Sequence, residues 1–462
     1  MPLPERNRLN PATVMAIRDR SNREELTDML DVLAHRTYRL LFSAQVVSLL
    51  GTGLATVALA LLAYDLAGER AGAVLGTALA IKMVAYVSIA PLASAFVSRM
   101  PRRAMLVALD LVRGGIALIL PFVTQTWQVY ALILLLQSAS AAFTPAFQAT
   151  IPDLLQDEDD YTKALSLSRL AYDLENLVSP ALAAALLSLM SFHWLFAGTA
   201  FGFVGSAALV LSVTLPSPRA QAQTRFTERL TRGVRIFSVT PRLRGLMAIN
   251  LTVAAGGALV IVNTVVYVKS ALGLGEQQTA IALAAFGGGS MLVAVLLPWV
   301  LRHVDDRSVM LVGGCVLAIM TALGARVSAY WQLLGLWLAL GAGYTMAQLP
   351  SGRLLRRSAL PEDRPALFAA QFALSHACWL VTYPIAGWFG ESAGLAATAL
   401  LLSGVAAIAA LLAFWIWPVN DDDAIVHAHP DLPADHPHLA TGTRVGAHRH
   451  SHPPIADEHH PA

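Results

Sequence analysis

Charge is what this chain is short of. Only 13% of its 462 residues are Asp, Glu, Lys or Arg, about half the roughly 25% of a soluble globular protein. So thin a supply over so long a chain argues against an ordinary soluble enzyme and for a polytopic membrane protein. Cysteine is scarce too. Cys315 and Cys378 both lie in apolar runs, so neither a metal knuckle nor a disulfide framework can be built. No G-x-x-x-x-G-K-[ST] loop occurs, which removes ATP as the expected driving force. No nucleophile–base constellation or cofactor loop can be assembled, so an enzyme is not expected. The net charge of +2 gives no ground for a nucleic-acid partner.

Apolar sequence is what the chain has in abundance, at 56% of residues. A spanning helix needs about 20 mostly apolar residues, and twelve such runs fall near 39–64, 72–97, 104–123, 128–149, 164–190, 193–214, 245–269, 277–300, 308–326, 331–350, 366–390 and 393–417. The expected fold class is therefore an all-α polytopic membrane protein, with twelve transmembrane helices as two six-helix halves, 38–215 and 245–417. Residues 1–37 are polar and do not read as a cleaved signal peptide. Residues 216–244 form a basic linker, and 418–462 read as a disordered tail. GGGS at 287–290 lies inside a span and reads as close helix packing.

Loop charge sets an orientation. The even-numbered loops carry Arg99, Arg102, Arg103, Arg219, Arg225, Arg229, Arg232, Arg235, Arg302, Arg307, Arg353, Arg356 and Arg357, against Arg70, Lys269 and Arg326 on the odd side. Positive charge stays in the cytoplasm, so both termini are expected there, in a cell inner membrane. The halves also echo one another. Matching Arg103 of RRAMLV to Arg307 of DRSVMLV gives an offset of 204 residues, and the same offset places Pro180 on Pro384. Parallel repeats of this kind build carriers with a site near the bilayer midplane.

With these features the chain resembles the major facilitator superfamily over residues 38–417. SRMPRR after the second span is similar to the family's G-x-x-x-D-R-x-x-R-R loop: Arg99, Arg102 and Arg103 fall in place, while Ser94 and Ser98 replace the glycine and the aspartate. The resemblance makes Arg99, Arg102, Arg103 and Arg307 gating-loop candidates. FTPAFQATIPDLL resembles the branch that includes enterobactin-type exporters. LSRLAYDLENLVSP, LGTALAIKMVAYV and the histidine-rich tail resemble nickel- and cobalt-resistance exporters of that branch. What this implies is export of Ni2+ or Co2+ as cargo, protons as counter-ion, no tightly bound cofactor, and action as a monomer in the lipid bilayer.

Ionisable groups inside a bilayer are costly and mark function or compensated pairs. Lys82 sits near the middle of the second span, with Asp110 and Asp173 the acids expected to face it. Asp110 and Arg113 are three apart, on one helical face, as a static pair or one that breaks during transport. In the fifth span Arg169 and Asp173 are four apart and can pair. Glu175 is rotated about 200° from Asp173 and keeps no visible local partner. His376 and Cys378 map by the repeat offset to the level of Asp173 and Glu175. Imidazole, thiolate and carboxylate suit a borderline metal, although residues two apart on a helix point different ways. Gln45, Ser48, Asn250, Asn263, Tyr344 and Gln348 can line a cavity or bridge helices.

Nine of the thirteen histidines stand in the tail: His427, His429, His436, His438, His448, His450, His452, His459 and His460. With a reference pKa near 6.5 most are neutral in the cytoplasm, and neutral imidazole binds nickel, cobalt, copper and zinc. The sequence therefore favours proton-coupled antiport of nickel or cobalt out of the cytoplasm. The alternative is efflux of an organic compound, a drug or siderophore, in a cavity with aromatics such as Trp331, Trp337, Trp379 and Trp388.

Overall fold

The computed structural model describes residues 31–97, 101–155, 157–215, 226–359, 363–419, 425–428, 443–444 and 449–452. Its body is helical. The first half holds α1 (Arg36–Ala67), α2 (Ala71–Val97), α3 (Arg102–Ile119), α4 (Thr126–Leu154), α5 (Glu158–Leu187) and α6 (His193–Leu211). A short helix, α7 (Phe226–Val239), follows. The second half holds α8 (Pro241–Val265), α9 (Glu276–Val300), α10 (Asp306–Leu323), α11 (Tyr330–Gln348), the short α12 (Ser351–Arg357), α13 (Arg364–Pro384) and α14 (Gly390–Ile416). Each expected span thus has a helix of its own. Among the described residues, eight stretches are long and apolar enough to cross a membrane. Two of these, Arg36–Ile89 and Ala366–Ile416, each run through more than one helix.

The helices are apolar outside as well as inside. Phe122, Trp127, Phe201, Val295, Trp299, Ile408 and Trp415 are exposed, a surface that water would not tolerate but lipid solvates. The chain is a multi-pass membrane protein. Because lipid offers helices no hydrophobic reason to associate, close packing and small residues hold them. At the α9–α11 crossing a Cβ on Gly289 would stand 1.8 Å from the Leu338 carbonyl oxygen, and one on Gly341 would stand 1.9 Å from that of Phe286. The GGGS stretch does serve close packing.

Polar groups then fix the register of the helices. The Ser168 hydroxyl donates to Gln45 Oε1 at 3.0 Å, tying α5 to α1. In the second half Asn250 and Gln371 exchange amide hydrogen bonds of 3.2 and 3.3 Å, tying α8 to α13. The two ties lie close to the 204-residue offset, so the internal echo extends to interhelical contacts. Asn263 Nδ2 donates to the Ala386 carbonyl at 3.1 Å. That carbonyl belongs to a π-helical turn, Ile385–Phe389, which follows Pro384. For these amides the bridging role applies.

Two expectations need correction. The linker at 216–244 is not loop throughout, since α7 lies within it and packs on α13 and α8. Gly233 allows the approach, because a Cβ there would stand 2.1 Å from the Ala366 carbonyl oxygen, and Arg232 pairs with Asp363. The tail, expected as disorder, contains three short strands, β1 (Ile425–Ala428), β2 (Thr443–Arg444) and β3 (Arg449–His452). They form an antiparallel sheet in the order β1-β3-β2. Backbone pairing between chain segments is what the composition could not reveal.

Candidate functional site

The site lies where the halves meet. α2 of the first half packs on α13 of the second, and α5 packs on α9. Lys82 stands on α2 and is partly buried. The acid whose charge acts on it is Glu175 of α5, also partly buried. Among the described residues the two are not within ion-pair distance, so their compensation acts through space. Glu175 is placed by a tight α1–α5 contact: a Cβ on Gly53 would collide with the Ser179 side chain and lie 3.4 Å from Glu175 Cγ. Only a glycine at 53 lets α5 come so near.

Aromatic rings continue the site across the interface. The Lys82 ammonium lies 5.9 Å from the Tyr86 ring centre, one helical turn along α2. Tyr86 stacks on His376 of α13, with centroids 5.7 Å apart and planes 14° from parallel. Phe372 lies against the other residues of the stack, 3.9 Å from His376 and 6.2 Å from Tyr86. His376 Nδ1 is 2.7 Å from the Phe372 carbonyl oxygen. A carbonyl only accepts, so Nδ1 carries the hydrogen and Nε2 of the neutral ring keeps its lone pair. Lys82 also borders a small cavity of about 30 Å³, where Thr52, Thr56, Gln137 and Ser140 interrupt an otherwise apolar wall.

Lys82, Glu175 and His376 are thus brought together, with charge from Lys82 also reaching His376. The expected partner was wrong in one respect. Asp110 does not serve Lys82, because it is committed within the first half. Its carboxylate pairs with Arg113 in full burial and accepts from the Ser206 hydroxyl at 2.7 Å. The Arg113 guanidinium is sandwiched 4.1 and 4.4 Å from the Phe143 and Phe203 rings. The pair is thus enclosed within the first half. The side chains of Arg169 and Asp173 lie outside the described residues. Cys378 is buried, and among the described residues no group of three or more His, Cys, Asp or Glu side chains gathers to hold a metal.

The loop arginines have structural partners. Arg103 donates to the Leu211 carbonyl at the end of α6, and Arg307 donates to the Phe414 and Trp417 carbonyls at the end of α14, at 2.9 Å each. Arg102 is buried, and Arg99 lies outside the described residues. A buried acid that sequence reading passed over, Asp306, takes Arg353, whose Nε is 3.1 Å from both carboxylate oxygens, with Arg357 at 3.8 Å. Tyr86 and Phe372 were also passed over. Their spacing of four from Lys82 and from His376 was the available signal. Of the tail histidines, His427, His450 and His452 fall in the strands, while His429, His436, His438, His448, His459 and His460 lie outside the described residues.

At the odd-loop end the halves are sealed. Arg70 pairs with Glu391, and the Trp388 indole donates to the Thr77 hydroxyl at 2.9 Å. A Cβ on Gly76 would stand 2.6 Å from the Tyr383 carbonyl oxygen, and one on Gly387 would stand 2.5 Å from that of Gly72. A charged and aromatic site buried between two helical halves, closed at one end, suits a carrier. The family model for the Major Facilitator Superfamily matches residues 41–322 and 246–434.

The chain belongs to the Major Facilitator Superfamily.

Its relatives among characterised proteins include macrolide efflux protein A of Enterococcus faecalis, 26% identical over 38% of this chain and 58% of the relative. The protein of the same name from Streptococcus pyogenes is 26% identical over 46% of this chain and 53% of its own length. The chain therefore spans little more than half of the relatives it matches. Solved structures share the fold. The D-xylose–proton symporter superposes with a TM-score of 0.64 at 15% identity, over 83% of this chain and 98% of that one. A bacterial homologue of the human lysosomal transporter Spinster, inward-facing and unoccupied, gives 0.64 at 11% identity, over 82% and 96%.

Proposed function

We propose that this superfamily member is a proton-coupled exporter of organic compounds, which reverses the order in which the sequence alone ranks the two cargoes. The observation that carries this reading is the placement of Lys82 and Glu175 beside the Tyr86–His376–Phe372 stack, across the contact between the halves. A hydrated divalent ion gains little from such a place, since the Lys82 ammonium repels it and, among the described residues, no group of three or more His, Cys, Asp or Glu side chains gathers to hold it. An organic molecule gains more, from ring faces, a lone pair on His376 Nε2, a donor on Lys82 and an acceptor on Glu175. The likeness to macrolide efflux proteins supports the same direction.

The proposed cycle follows from charge. Cargo held by Glu175 needs the carboxylate as an acceptor, and a proton on Glu175 removes it. One group cannot serve both, so cargo leaves as a proton enters. All twelve long helices cross the membrane in this reading, the even loops and both termini face the cytoplasm of a cell inner membrane, and the protein acts as a monomer. The sealed odd-loop end then faces outward, leaving cargo to enter from the cytoplasm. The experiment is uptake of a macrolide into everted vesicles, or its efflux from intact cells, with and without a proton gradient. Accumulation unchanged by expression across a panel of macrolides, dyes and siderophores would sink the reading.

A second reading, nickel or cobalt as cargo captured by the tail, has one specific support. The β1–β3 register sets His427 opposite His450, and residues opposite one another on antiparallel strands have Cβ atoms about 4.5–5.5 Å apart. Cellular nickel and cobalt content with and without residues 420–462 separates the two. Lowered metal content on expression would favour it, and unchanged content would remove it.

A further inference from the structure

A groove unrelated to the site between the halves runs between α10 and α11 at the odd-loop end. Its volume is about 380 Å³, in the lower part of the range of roughly 300–1,000 Å³ in which small molecules are held. Met320, Leu323 and Leu336 give it an apolar wall, and Gly335 leaves the floor open, with nothing within 4 Å of where a Cβ would stand. At the loop end stand Arg326 and Trp331. Leu323 is 45% and Trp331 73% exposed, so the groove opens outward and not toward the other half. Arg326 ends the 3-10 turn Gly324–Arg326 that follows α10 and is exposed. Among the described residues no carboxylate pairs with it.

Each feature specifies part of an occupant. The groove faces hydrocarbon, so its filling is apolar and supplied by the bilayer. Its one cation stands at the end of the helix, at the depth of the headgroups, where tryptophan also prefers to lie. A guanidinium matches phosphate oxygens two at a time. Gln332 uses its carbonyl oxygen to cap α11, accepting from the Ser328 and Ala329 amides at 2.9 and 3.2 Å. Its amide nitrogen is left as a second donor at the same level.

We propose that this groove binds one phospholipid of the leaflet at the odd-loop end, its phosphate on Arg326 and one acyl chain in the trough. The bound lipid clamps α10 to α11 and is independent of the cargo. The test uses the full-length protein in mild detergent, with lipid retention read by native mass spectrometry. The probes are phosphatidylglycerol, diacylglycerol with the same chains, and inorganic phosphate. Wild type should keep one phosphatidylglycerol per chain and little diacylglycerol. Arg326→Ala should lower retention about tenfold, Gly335→Trp should abolish it by filling the trough, and Arg302→Ala should leave it unchanged. Equal retention of diacylglycerol, full retention by Arg326→Ala, or displacement by inorganic phosphate at millimolar concentration would each overturn the proposal. Arg326 is exposed, so its variant reports even if the tryptophan variant misfolds.

Discussion

Arg103 and Arg307, separated by 204 residues, perform the same act in the two halves: each hands its guanidinium to the last carbonyls of the sixth long helix of its own half. Those carbonyls have no partner within their helix, and a cation there also answers the negative end of the helix dipole. Replacing either arginine by alanine should cost about 1 kcal/mol, the scale of a partly exposed charged hydrogen bond. The two losses should add, because the sites share no partner. Thermal melting in detergent reads both, and lysine should restore part of the loss at each position. A double variant no weaker than either single one would refute independent caps.

Lys82 and Glu175 act on one another's charge through space, and in the proposed cycle each offsets part of the other's. Lys82→Met or Glu175→Gln alone should leave an uncompensated charge, worth about 2.5–3.5 kcal/mol at a helix centre. The double variant should recover most of the lost stability and none of the proton-coupled efflux. Melting temperature and vesicle transport, measured on the same three preparations, decide it. Efflux surviving in Glu175→Gln with an unaltered proton dependence would show that coupling resides elsewhere.

The Asp110–Arg113 pair predicts a different pattern. Both partners are buried, and Ser206, Phe143 and Phe203 lie against them. Breaking such a pair from one side costs about 3–5 kcal/mol. Asp110→Asn and Arg113→Ala should therefore reduce the amount of folded protein, while the molecules that fold keep their cargo affinity and pH profile. A shifted pH profile in Asp110→Asn would assign the pair to coupling instead.

Asp305 caps α10 by accepting from the Ser308 amide at 2.8 Å and its hydroxyl at 2.9 Å. Partial burial raises its pKa, but these hydrogen bonds and the Arg307 charge outweigh that and hold it below the ordinary carboxylate value. A carboxyl depressed in the folded state stabilises it above the unfolded value near 3.9. That contribution is lost as pH falls through the folded value. Melting followed from pH 6 to pH 3 should show this acid limb in wild type, and Asp305→Asn, which keeps a capping oxygen, should flatten it. An identical limb in the variant would place the acid sensitivity at other carboxyls.

Much of this was open to sequence reading where partners share a helix. Asp110 and Arg113 announce their pair by a spacing of three. Glu175 announces only a vacancy, since nothing within a turn of it is basic. That the Lys82 charge reaches it depends on how separate helices are arranged, and their 93-residue separation carries no such information. For the same reason Asp306 gave no sign of Arg353, which reaches it from across α11. Among the described residues the twelve long helices follow from apolar runs, whereas α7 hides behind its arginines. The tail misled by composition: histidine, proline and aspartate read as disorder, yet pairing between β1 and β3 needs only backbone groups in register.

The seam at the odd-loop end has a consequence for selectivity. Gly72 and Gly76 meet Gly387 and the Tyr383 carbonyl, so much of that barrier is peptide against peptide. Main chain packed on main chain offers few side chains whose fit to a departing molecule could favour one shape over another; those at the seam, Arg70 with Glu391 and Trp388 with Thr77, are already paired with one another. On the proposed function, discrimination is then complete before the barrier parts, at Lys82, Glu175 and the rings around His376. Substitutions along the seam should change how often the carrier turns over and leave the ranking of its cargoes as it was.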